Sequence, residues 1–116
     1  MKNKYFDKLT KLLEQAHPKL YTTHLVEFKN VFGAVSGYVN GRIFISCGKF
    51  GIAPRLPSEI LENLFQEKDV KRLKYFSKGH IKKEYAVLPN RILQDKNRLR
   101  KILNKSIEYA LLLKDA

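Results

Sequence analysis

The sequence predicts an α+β fold: two layers, with an antiparallel sheet of about five strands and helices packed on one face. The expected element order is α-β-β-β-α-β-β-α. Three observations carry this. Apolar residues recur at helical spacing near both ends of the chain and alternate in its middle. Asn40-Gly41 sits between two β-rich runs, where it suits the two positive φ angles of a tight hairpin turn. Short turns join the strand segments and helical segments fall between hairpins, which is the α+β pattern. At 116 residues and 44% hydrophobic content, one domain spanning 1–116 is expected.

Taken in order, Tyr5, Leu9, Leu12, Leu13 and Ala16 predict a helix over 2–16, ended by His17-Pro18. Residues 19–25 are expected as a loop. Strands follow at 34–39 and 42–47, with room for a further short strand near 26–32. A two-residue turn at Asn40-Gly41 sets Val39 against Arg42, Tyr38 against Ile43, Gly37 against Phe44 and Ser36 against Ile45. One face then carries Ala34, Tyr38, Ile43, Ile45 and Cys47 and is expected to be the core. The other carries Val35, Gly37, Val39, Arg42, Phe44 and Ser46. Residues 51–55 make a third strand, whose Pro54 marks an edge or an end of pairing. Pro57-Ser58 opens a helix to about Glu67, with Ser58 as its cap and Ile60, Leu61, Leu64 and Phe65 as its apolar stripe. Residues 71–76 and 81–88 form a second hairpin around Ser77-Lys78-Gly79-His80, and Pro89 stops it. A last helix runs from Asp95 or Lys96 to Leu113, with Leu99, Ile102, Leu103, Ser106, Ala110 and Leu113 on one face.

The chain holds 23 Lys and Arg against 11 Asp and Glu, a net charge of +12. This excludes an acidic disordered chain, and no apolar run approaches a membrane span. The charge is uneven: residues 1–67 carry +3 and residues 68–116 carry +9. Such asymmetry points to a polyanion, because cations that neutralise phosphates release counterions; the plain alternative is a lysine-rich, well-solvated surface. The single Cys47 can form no internal disulfide, and the first residues lack the apolar stretch of a signal peptide, so a cytoplasmic location without membrane association is expected.

Catalytic chemistry is not expected. His17, His24 and His80 are scattered and lack ligand spacing, so no metal is expected. Cys47 has no histidine nearby in sequence and reads as a buried structural thiol. The glycines at 33, 37, 41, 48 and 51 do not spell a phosphate-binding loop, so no cofactor is expected. Glu59 and Glu62 suit a helix start.

The run Val31-Phe32-Gly33-Ala34-Val35-Ser36-Gly37-Tyr38-Val39-Asn40-Gly41-Arg42-Ile43-Phe44 resembles the signature of the TfoX N-terminal domain family, a Phe-Gly pair followed by Gly-x-Tyr-x-Asp/Asn-Gly-Arg-x-Phe. Lys83-Glu84-Tyr85-Ala86-Val87-Leu88-Pro89 resembles that family's second block. Val31 and Ala34 depart from the residues many members carry. The resemblance covers roughly residues 20–113. It implies an α+β fold similar to that of secretion chaperones and a regulatory role in competence, exerted with a transcription activator. Full-length members carry a second C-terminal domain; with the sequence ending at Ala116, a stand-alone N-terminal-like domain is expected.

Two functional expectations follow. The first is a non-enzymatic regulatory module acting through protein contacts, with a protein partner or a homodimer. Its surface would be Val35, Val39 and Phe44 on the outer sheet face, covered by the first helix, by a second copy or by a partner. The second is direct nucleic-acid binding. Lys71, Arg72, Lys74, Lys78, Lys82 and Lys83 fall in a stretch without an acid, interleaved with Tyr75 and Phe76, and Arg98, Lys101 and Lys105 fall in another.

Overall fold

In the computed structural model, which describes residues 3–31, 33–74 and 81–113, helix α1 (Lys4–Ala16) begins at Asn3. The Asn3 side-chain oxygen accepts from the Tyr5 N–H at 2.8 Å, a cap contributing about 1 kcal/mol. Leu9, Leu13 and Ala16 form its buried stripe, and His17 ends it in the left-handed region at φ 52°. Residues 19–25 are not simply a loop: they contain a one-turn helix, α2 (Lys19–Thr23). Its Pro18 cap presets the backbone, and the Thr22 hydroxyl donates to the Lys19 carbonyl at 2.7 Å. Five residues are too few to show apolar periodicity. The turn is held to the last helix by the Leu20 N–H, which donates to Asn104 at 3.1 Å.

The short strand near 26–32 is β1 (Val26–Val31), followed by β2 (Ala34–Val39), β3 (Arg42–Gly48) and β4 (Gly51–Pro54), all antiparallel in the order β1-β2-β3-β4. Asn40 at φ 51° and Gly41 at φ 75° make the expected turn. The register starts as expected, Val39 with Arg42 and Tyr38 with Ile43. It then slips by one, so that Gly37 faces Ile45, Ser36 faces Ser46 and Val35 faces Cys47. Phe44 is the extra residue of a β-bulge. A one-residue slip moves every later side chain to the other face. Hence Ile45 and Cys47 join Val35, Val39 and Phe44 in the main core, while Ile43 packs on the opposite face. The expected core face was therefore wrong in part, and the bulge is the reason.

After Arg55, helix α3 (Ser58–Phe65) follows. Its cap is Pro57 rather than Ser58, which is the first helical residue and makes no capping bond. The second hairpin is β5 (Lys71–Leu73) and β6 (Lys82–Val87), shorter than the expected strands; the turn at Ser77-Lys78-Gly79-His80, with Tyr75 and Phe76, lies outside the described residues. A short helix α4 (Asn90–Leu93) was not expected, and α5 (Lys96–Leu112) closes the fold, capped by Asp95. The β5–β6 pair adjoins the four-stranded sheet. Arg55 bridges Tyr85, the Leu56 N–H donates to the Glu84 carbonyl at 2.8 Å, and the Leu88 N–H donates to the Ile52 carbonyl at 2.9 Å, all in one antiparallel register. Pro54 stands opposite Ala86 in that register, and its missing N–H interrupts the ladder there. The four-stranded sheet β1-β2-β3-β4 and the two-stranded sheet β5-β6 thus adjoin along β4 and β6.

Helices α1 and α5 cover one face of the sheet. Leu9 and Leu13 from α1, with Leu99, Leu103, Ile107 and Ala110 from α5, close over Val35, Val39, Phe44, Ile45 and Ile52. The opposite face carries a smaller cluster of Ala53, Leu73 and Tyr85, flanked by Ile43, Phe50 and Val87. Among the described residues, no helix is long and apolar enough to cross a membrane.

Candidate nucleic-acid interface

Leu73 is the anchor of the basic hairpin. It is fully buried against Ala53 and Tyr85, and the neighbouring Lys71, Arg72 and Lys74 are exposed; on β6, Lys82, which pairs with Leu73, and Lys83 are exposed as well. β5 is an outer strand of the sheet. The Arg72 guanidinium lies 4.4 Å from the centroid of the Phe65 ring, which seats its apolar stem on α3 and leaves the residue exposed. Lys78 lies outside the described residues.

Glu67, Asp69 and Glu84, which flank the basic segment in sequence, have internal partners. Arg91 takes Asp69 at 2.6 Å and Glu67 at 2.8 Å, and Arg98 grips both oxygens of Glu67. Arg98 and then Arg91 hold the Glu67 carboxyl down at about 2. Glu84, the first acid after the basic stretch, turns to the helix side. There Arg55 Nη2 meets it at 2.8 Å and the Tyr109 hydroxyl donates to its other oxygen. Burial pushes the Glu84 carboxyl up, but the Tyr109 and Arg55 hydrogen bonds outweigh it and the net shift is downward. Accepting that bond, Glu84 keeps the Tyr109 phenol protonated to higher pH.

Helix α5 meets β6 through Tyr109 and Glu84, and meets the segment that follows α3 through Arg98 and Glu67. Of its three candidate cations, Arg98 is committed to Glu67, Lys105 lies 3.8 Å from Glu108, and Lys101 is exposed. Arg100 serves the fold instead. Its Nε donates to the Ala16 carbonyl at 2.8 Å, placing a cation on the negative end of α1. Beside Lys105 a cleft of about 240 Å³ opens between Pro57, Glu59 and Ile60 of the α3 start and Glu108, Tyr109 and Leu112. Ligand pockets run to about 300–1,000 Å³, so this one is small.

Val35, Val39 and Phe44 do not form an outer patch. Each is 0% exposed in the core shared with α1 and α5, and the bulge at Phe44 adds Ile45 and Cys47 to the same face. The first helix covers these residues within the chain. Cys47 is buried as expected, and burial raises its thiol pKa despite the opposing charge of Lys8. His17 caps α1, His24 Nδ1 sits 2.9 Å from the Thr23 hydroxyl, and His80 lies outside the described residues. The Arg55–Glu84–Tyr109 group was not read from the sequence. Its members are 25 to 54 residues apart and share no spacing pattern.

The Glu67 group has a pH signature. Its carboxyl is lowered in the folded chain from 4.5 to about 2, so its contribution is complete above about pH 4.5 and is lost as pH falls toward 2. Glu67→Gln is expected to cost about 1 kcal/mol at neutral pH, the size of a solvent-screened pair, and to flatten the acid limb of stability in that window. Urea titrations of both proteins from pH 2 to 7 check this; parallel pH profiles would refute it.

No family model matches this chain, and no curated protein matches it.

Proposed function

We propose that the chain is a non-enzymatic nucleic-acid-binding module that holds phosphates with Lys71, Arg72, Lys74, Lys82 and Lys83 on the β5–β6 edge. One observation carries this reading. Three acids that flank the basic segment in sequence have internal partners, Glu67 in Arg91 and Arg98, Asp69 in Arg91, and Glu84 in Arg55 and Tyr109, while Lys71, Arg72, Lys74, Lys82 and Lys83 are exposed. The apolar surface on which a protein-contact reading rested is buried, which favours the polyanion. The resemblance to the TfoX N-terminal domain supports a regulatory use of such binding, and a lone buried thiol fits a reducing, cytoplasmic setting.

The test is fluorescence anisotropy with labelled single- and double-stranded oligonucleotides. Five phosphate contacts imply a loss of roughly 500-fold in affinity for the duplex, and roughly 130-fold for the single strand, between 50 and 200 mM salt. Lys82→Glu with Lys83→Glu is expected to weaken binding at low salt and to reduce the salt slope by about two contacts. No binding at low salt, or binding indifferent to both substitutions, would overturn the proposal.

A further inference from the structure

The two outer strands of the sheet are unlike. β5 is three residues long and flanked by cations of one sign, so a second copy approaching it meets like charge. β1 has six residues, no proline and an unbroken register with β2, and among the described residues no strand pairs with its outer side. Such an edge presents a row of backbone N–H and C=O groups to any strand that fits. Beside it Leu25 is 80% exposed.

The charges of β1 select the strand that fits. Glu27 and Lys29 are both exposed and, two apart, share one face of the sheet. When a strand pairs antiparallel with its own copy, backbone hydrogen bonding requires residues of the same parity to face each other. Pairing centred on Glu27 sets glutamate against glutamate. Pairing centred on Lys29 sets lysine against lysine. Pairing centred on Phe28 sets Glu27 against Lys29 of the second copy, twice over, with Val26 against Asn30. Opposite charges facing across strands stabilise the pair and like charges oppose it.

We propose that β1 is a self-association edge: two copies of this chain pair β1 to β1, antiparallel about a two-fold axis at Phe28, into one continuous sheet. The basic β5 edges then lie at its two outer ends. This proposal stands apart from the nucleic-acid reading and needs no ligand.

Sedimentation equilibrium of the full chain tests it. The expected mass is twice 13.5 kDa. Glu27→Lys alone and Lys29→Glu alone each put like charges face to face and are expected to raise the dimer dissociation constant by about tenfold or more. The two substitutions combined restore complementarity and the dimer, and an equimolar mixture of the two single variants forms a mixed dimer. Both positions are exposed, and circular dichroism confirms that each variant is folded. A wild-type chain that is monomeric up to about 100 μM overturns the proposal. So do single reversals that dimerise undiminished, or a folded double variant that stays monomeric.

Discussion

Phe44→Glu is expected to unfold the chain. The Phe44 ring is 0% exposed, sits at the bulge of β3 and packs in the core closed by α1 and α5. Its ring also lies across Gly37, where a Cβ would stand only 3.1 Å from Cε1. Truncating a buried phenylalanine to alanine costs about 3–5 kcal/mol, against a total domain stability of about 5–15 kcal/mol. Glutamate adds the cost of burying a carboxylate. Phe44→Leu, which keeps most of the volume, should fold with a lower urea midpoint. Circular dichroism and urea melts of the two variants check this. A folded Phe44→Glu protein with an unchanged midpoint would put Phe44 at the surface and refute the packing described.

Ser106→Ala is expected to destabilise the chain by about 1–3 kcal/mol, far more than one small hydroxyl would cost at a surface. Ser106 is fully buried on α5, and its Oγ reaches the Arg55 carbonyl at 2.8 Å and the Phe44 carbonyl. The Phe44 carbonyl keeps a second donor, the Arg55 N–H at 2.7 Å. The Arg55 carbonyl is the group that suffers when the hydroxyl is removed. The loss also loosens the seating of α5 on β3 and β4, and with it the approach of Tyr109 to Glu84. Urea unfolding gives the magnitude, and faster amide exchange at Arg55 gives the location. A loss below about 0.5 kcal/mol would show that the hydroxyl is dispensable.

These two residues mark where sequence reading succeeds and where it stops. The helical stripes of Leu9, Leu13 and Ala16 and of Leu99, Leu103 and Ala110 were legible, because a period near 3.6 is written into adjacent residues. So was the Asn40-Gly41 turn, since it depends on the φ preferences of two neighbours. The bulge was not. Nothing in Arg42–Gly48 distinguishes a regular strand from one that slips at Phe44, and the slip carried Ile45 and Cys47 onto the face of Val35, Val39 and Phe44, which lies in the core. Ser106 was placed on the correct helix face, but its carbonyl partners come from residues 51 and 62 positions away.

The candidate site divides in the same way. The excess of cations in 70–83 is a property of composition, and it survives folding because Leu73 alone of its strand is drawn inward. Which of those cations bear on a partner was decided only when Glu67, Asp69 and Glu84 met Arg91, Arg98, Arg55 and Tyr109 across 22 to 31 residues of chain. By itself the sequence determined the types of the longer elements, the first hairpin turn and the location of the charge, all set by neighbouring residues; the short helices α2 and α4 it did not. The tertiary structure decided which sheet face is core and which charges are paired internally. Both turn on contacts between segments distant in the chain, and a single extra residue in one strand is enough to move Ile45 and Cys47 from one sheet face to the other.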